Sequence, residues 1–180
     1  EHCSVYARED VQADCIIDCN IYSNGAVTAR TGRGVIIGGT VRAKTQVSAG
    51  MVGSKAERPT AIMLGGLPCE EYERTQIQAD IEQSEEAIKK CQAQQDTPAK
   101  QSELSKLRLN LCVAQMKLEK LEKELHSYPH PRPQADPRRL VCNEAFPGTV
   151  VSIDYQSFRF NQAEHNCVIG LANGLVSRMR

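Results

Sequence analysis

A three-residue pattern, a β-branched residue, any residue, then Ala or Ser, recurs six times in the first third of this 180-residue chain and limits its fold more than any other feature. The copies are Val5-Tyr6-Ala7, Val11-Gln12-Ala13, Ile21-Tyr22-Ser23, Val27-Thr28-Ala29, Val41-Arg42-Ala43 and Val47-Ser48-Ala49. They come in pairs whose first members lie six residues apart, and an apolar stretch follows each pair: Cys15 to Ile17, Val35 to Ile37, then Met51 and Val52. Each unit thus predicts three short strands. From unit to unit the pattern shifts by 16 residues (Val5 to Ile21) and then by 20 (Ile21 to Val41), the repeat length of a solenoid rather than of a hairpin sheet.

Alternation within each copy turns the β-branched residue and the small residue inward and the middle residue outward, so a thin aliphatic column with small Ala and Ser lets coil walls approach. Gly25, Gly32, Gly34, Gly38, Gly39, Gly50 and Gly53 fall between the strands and are expected at corners with positive φ. A left-handed hexapeptide helix would need an unbroken six-residue period, which the intervals 6, 10, 6, 14 and 6 do not supply. A flat glycine-rich antiparallel sheet would leave the pairing of the copies unexplained.

Between Pro68 and about Leu125 glycine disappears and Gln, Glu, Lys, Leu and Ile dominate, the composition of helix. Pro68 suits a first helical turn, Glu70, Glu71 and Glu73 favour its positive end, and Asp96-Thr97-Pro98 breaks the run, with Thr97 as the cap of a second helix. Leu104, Leu107, Leu111, Ala114, Leu118, Leu121 and Leu125 form a heptad stripe, answered by Ile77, Ile81, Ser84, Ile88 and Cys91. Reversal at Thr97-Pro98 pairs residues whose numbers sum to 195, such as Ile88 with Leu107. After a proline-rich linker from Tyr128 to Pro137, alternating apolar runs at 140–142, 149–153, 158–160, 167–171 and 175–177 read as strands.

The predicted class is therefore mainly β with an α insertion. A short right-handed parallel β-helix occupies residues 1–67, an antiparallel coiled-coil hairpin residues 68–127, and a linker with strands that complete or cap the solenoid residues 128–180. The chain starts without Met and inside a repeat, which is expected of a piece of a longer protein.

Twenty-two basic and twenty-two acidic residues leave no net charge, which excludes the electrostatic footprint of a nucleic-acid binder. No stretch approaches a membrane span, and residues 1–10 lack the apolar core of a signal peptide, so a cytoplasmic location is expected. The eight cysteines lack the spacing of a disulfide scaffold and are expected to be reduced and mostly buried, with Cys15 and Cys19 both pointing inward. His126, His130 and Cys142, or His165 and Cys167, supply donors without the paired spacing of a structural zinc site. Gly32-Arg33-Gly34 lacks the Lys-Ser/Thr and the helix of a phosphate loop. No catalytic, cofactor or metal residue is therefore assigned and no cofactor or small-molecule substrate is expected; the competing readings are a β-helical enzyme acting on a sugar or acyl donor and a metal-stabilised module.

The segment Gly32 to Ala43, continuing through Val52-Gly53-Ser54-Lys55-Ala56-Glu57-Arg58-Pro59-Thr60 and Leu64-Gly65-Gly66, resembles the flagellar assembly protein A family. The likeness extends to a helical hairpin directly after that Leu-Gly-Gly and to a strand region with a Pro-Gly pair like Pro147-Gly148. It implies a bacterial, cytoplasmic, non-enzymatic β-helical protein connected with flagellar assembly, polar placement or motility, which acts through a protein partner or self-association and has no family catalytic residues to carry over.

Overall fold

The computed structural model describes residues 1–93, 98–128, 138–172 and 174–179. The expected helix break at Asp96-Thr97, the linker beyond Tyr128, His130 and Asn173 lie outside these. The chain forms two compact units, Glu1–Cys69 with Pro129–Arg180, and Glu70–Tyr128.

The first unit is β. Its strands are β1 (Ser4–Ala7), β2 (Val11–Gln12), β3 (Cys15–Ser23), β4 (Val27–Ala29), β5 (Val35–Ala43), β6 (Gln46–Val52) and β7 (Thr60–Leu64), then β8 (Arg139–Ala145), β9 (Thr149–Ile153), β10 (Gln156–Arg159), β11 (Glu164–Ala172) and β12 (Leu175–Arg178). Parallel ladders stack the repeat on itself at the spacing the sequence predicts. Val5, Ile21, Val41, Ile62 and Val151 share one column; Val11, Val27, Val47 and Leu140 share a second; Ile16, Ile36, Val52 and Ala145 share a third. Val27, Val41, Val47, Ile36, Ile62, Leu140 and Val151 are wholly buried, each contributing about 1.5–3 kcal/mol. The small partners Ala29, Ala43, Ala49 and Ser23 are also fully inside, which keeps the column thin.

Each unit keeps its three segments, one in each column, but not as three separate strands. The apolar stretch Cys15–Ile17 runs on into Ile21-Tyr22-Ser23 as the nine-residue β3, and Val35–Ile37 runs on into Val41-Arg42-Ala43 as β5. The corner lies inside the strand, because Asp18 (φ 49°) and Gly38-Gly39 (φ 69° and 73°) turn the backbone through the left-handed region while the ladder continues on either side. Such a corner resets the side-chain alternation: Ile16, Cys19, Ile21 and Ser23 face the core and Cys15 is only half-buried, so the expectation that both cysteines point inward holds for Cys19 alone.

Two of the predicted corner glycines serve close approach rather than positive φ. A Cβ on Gly25 would stand 2.8 Å from the Asp10 backbone nitrogen, and one on Gly50 3.0 Å from the Gly34 carbonyl oxygen.

After β7 the chain leaves and returns in register, since β8 pairs in parallel with β6 and β9 with β7. The last strands depart from a purely parallel winding: β10 pairs antiparallel with β9, β11 with β8 and β12 with β11, making the sheet mixed. At the point of return Arg138, 4% exposed, donates to Asp154 at 2.5 Å.

The second unit consists of α1 (Pro68–Gln92) and α2 (Pro98–Ser127). Glu70 and Glu71 in the first turn and Lys89 and Lys90 in the last complement the α1 dipole. Along α2, the positions least exposed below the first turn are the predicted stripe from Leu104 to Leu125, with Leu121 buried, and Glu122; on α1 they include Ile77, Ile81, Ser84, Ile88 and Cys91.

Candidate functional site

The residues considered for chemistry are dispersed or given structural work. Gly34 closes a turn, its N–H directed at the Asp14 and Thr31 carbonyls at 2.9 Å each, while Thr31 bonds the Asp14 carboxylate; strand β5 follows, not a helix. His126 is exposed, with Nδ1 2.7 Å from the Glu122 carbonyl oxygen one turn back. His165 is exposed and lies 3.7 Å from Glu144, whereas Cys167 is buried. Among the described residues no three His, Cys, Asp or Glu side chains gather as a metal site.

All eight cysteines are free thiols: Cys19, Cys91, Cys142 and Cys167 are buried, Cys15 and Cys69 half-buried, Cys3 and Cys112 exposed. Two pairs come together. Cys142 and Cys167 are cross-strand partners between β8 and β11, and burial, reinforced by Cys167, pushes the Cys142 thiol up to about 12. Burial also raises Cys167, so neither supplies a thiolate near neutral pH. The Cys3 and Cys19 sulfurs approach to 3.4 Å across adjacent coils.

The helical unit carries a groove and a row of exposed apolar side chains. A groove of about 620 Å³ runs between the helices, with Ile77, Asp80 and Ala87 on the α1 wall and Leu109, Val113 and Lys117 on the α2 wall. Leu109 and Val113 on that wall and Met116 are 64%, 43% and 66% exposed. Spaced by four and three residues, they form one helical face distinct from the Leu104–Leu125 stripe. Sequence reasoning missed this face, although its signal was present in the four-then-three spacing of three apolar residues out of phase with the leucines. The α2 segment between Glu103 and Glu119 contains Lys106, Arg108 and Lys117 and no acid. The α1 segment between Arg74 and Lys89 contains Asp80, Glu82, Glu85 and Glu86 and no base. The unit thus presents an apolar and basic helix next to an acidic one.

No helix among the described residues is long and apolar enough to cross a membrane. No curated protein and no solved structure matches the chain. Residues 1–176 match the Flagellar Assembly Protein A beta solenoid domain; the stacked strands and nearly the whole length of the sequence fall inside that match, and the chain belongs to the flagellar assembly protein A β-solenoid domain family.

Proposed function

We propose that the chain is a non-enzymatic structural and interaction module of a bacterial flagellar-assembly or polar-localisation protein, working in the cytoplasm through protein–protein contacts. In this reading residues 1–67 and the strands of 128–180 are the coils and cap of a right-handed parallel β-helix, and residues 68–127 are an antiparallel coiled-coil arm that makes the contacts. The observation that carries it is the exposed Leu109–Val113–Met116 face at the interhelical groove. Large apolar side chains left 43–66% exposed in a row on one helix mark an interaction surface. Family membership supports the flagellar setting. The coiled-coil pairing is supported by the low exposure of the heptad stripe and by the Lys100 ammonium, which donates to the Gln92 carbonyl at 3.1 Å from the other helix.

The test is made in a flagellated host. Residues 70–128 are replaced in the chromosome by a Gly-Ser linker, protein level is checked by immunoblot, and flagella are counted and located by electron microscopy. The proposal expects absent, reduced or misplaced flagella at normal protein level; wild-type number and position at normal level would sink it.

A further inference from the structure

We infer that the groove between α1 and α2 is the seat of a second copy of this chain, whose own α2 lies in it while the first copy's α2 lies in the partner's groove. This rests on the reading of the helical unit as a contact arm and names its occupant.

The geometry is self-complementary. One helix supplies both halves of the contact: Val113 and Leu109 form a wall of the groove and also belong to the protruding apolar face. A two-fold axis passing beside α2 therefore brings each protruding face onto the other copy's groove without any further surface, as an isologous contact requires. The groove has room for such side chains because small residues recur along it, Ser84 and Ala87 on α1 and Ala114 on α2, where larger ones would fill it. In such an arrangement each α2 has the partner's α1 as its second neighbour, giving a four-helix bundle of the two hairpins.

Charge selects the same occupant. Helix α1 carries seven acidic residues against three basic ones, and α2 six basic against four acidic. On the groove itself the α1 wall contributes Asp80 and the α2 wall Lys117. An incoming α2 brings Lys106, Arg108 and Lys117 against the acidic run of the partner's α1, and both copies make the same exchange. Stacking instead through the two α1 helices would oppose acidic runs directly. Complementary potentials of this kind fix pairing and orientation more than they add affinity.

The experiment is light scattering after size exclusion on the full chain from about 1 μM to 1 mM, with sedimentation equilibrium for the dissociation constant. The wild-type mass is expected to rise to twice 19.9 kDa. Leu109→Asp with Met116→Asp is expected to remain at the single-chain mass throughout, with unchanged helical circular dichroism, because both side chains are mostly exposed in the single chain. Tyr155→Asp, fully exposed in the other unit, is expected to dimerise as wild type. The double change Asp80→Lys with Lys117→Asp is expected to dimerise more tightly than either single change, since it restores opposite charges across the contact. A wild-type chain of single mass at 1 mM, or Leu109→Asp/Met116→Asp dimers, would overturn the inference. If the wild type is monomeric while Leu109→Asp/Met116→Asp still reduces flagella in the host, the second copy is excluded and the arm's contact role survives with a different partner.

Discussion

The close stacking of coils at the left-handed corners is most directly tested by comparing Gly39→Ala with Gly174→Ala. Both glycines are in the left-handed region, at φ 73° and 78°, so an alanine suffers the same intrinsic cost of about 1–2 kcal/mol at each. Their surroundings differ. A Cβ on Gly174 meets nothing within 4 Å among the described residues, whereas a Cβ on Gly39 would stand 2.7 Å from the backbone nitrogen of Cys19 and closer still to its carbonyl oxygen. Real Cβ atoms essentially never come within 3.0 Å of a heavy atom, and a backbone held by a parallel ladder on both sides cannot swing aside as a side chain does. The β5 corner must move away from β3, stretching ladder bonds worth about 1 kcal/mol each. The total expected for Gly39→Ala is about 4–5 kcal/mol, against about 1–2 kcal/mol for Gly174→Ala. Guanidinium unfolding followed by circular dichroism, with linear extrapolation at equal slopes, gives both values. If the two substitutions cost the same within about 0.5 kcal/mol, the coils do not approach at this corner and the role assigned to Gly39 is wrong.

Cys3 and Cys112 should react with a thiol reagent at pH 8 within the mixing time, and Cys142 only at the rate of unfolding, as mass mapping of the modified peptides would show; prompt labelling of Cys142 would contradict its burial. The same group sets a pH dependence. Its folded value of about 12 lies above the unfolded thiol near 9, so the unfolded chain releases the proton first. Stability from this group is complete below about pH 9 and falls by about 1.4 kcal/mol per pH unit between about 9 and 12; Cys142→Ala should flatten that slope in thermal melts, and an unchanged slope would refute the assignment. Arg138→Met should destabilise the β unit by about 1.5–3 kcal/mol, the usual worth of a hydrogen bond to a charged group. The Asp154 side chain is 43% exposed and stays hydrated when the arginine is lost, so a loss well above that range would mean that Arg138 has a larger part in the chain's return than its bond to Asp154 accounts for.

The ladder columns were legible in the sequence because strand period and coil length are both set by local chemistry. Val5, Ile21 and Val41, and Val11, Val27 and Val47, are register partners at the spacing the motif gives. The glycine corners were legible too, since Gly32, Gly34, Gly38, Gly39 and Gly53 all stand at positive φ, but the corner made by a non-glycine residue was not. A run such as Cys15-Ile-Ile-Asp-Cys-Asn-Ile reads as two strands with a gap, or as one with continuous alternation, and only the left-handed turn at Asp18 decides that Ile16 and Cys19 share the core while Cys15 does not. A non-glycine residue at positive φ leaves little trace in composition, as Asp154 and Asn166 illustrate at φ 55° and 50°. The reversal from parallel to antiparallel pairing in β10, β11 and β12 was likewise hidden, since an alternating strand looks the same whichever direction its neighbour runs.

The helical unit carries this distinction between pattern and partner to the functional question. The leucine stripe is the less exposed face of α2, and its spacing marked it out in the sequence alone. Leu109, Val113 and Met116 obey the same four-and-three rule and yet are left exposed, because one neighbouring helix covers one face of α2 and not two. Along that stripe Leu121 is buried and Leu104, Leu107, Leu111, Ala114, Leu118 and Leu125 are half-buried, so the full ~1.5–3 kcal/mol of a buried leucine applies to Leu121 and a fraction of it to the other leucines. The exposed row lies outside that stripe, and on a helix with only basic charges between Glu103 and Glu119 it is spaced for another helix that brings acidic residues. In the proposed dimer that helix is the partner copy's α1, and this face rather than the solenoid makes the contact.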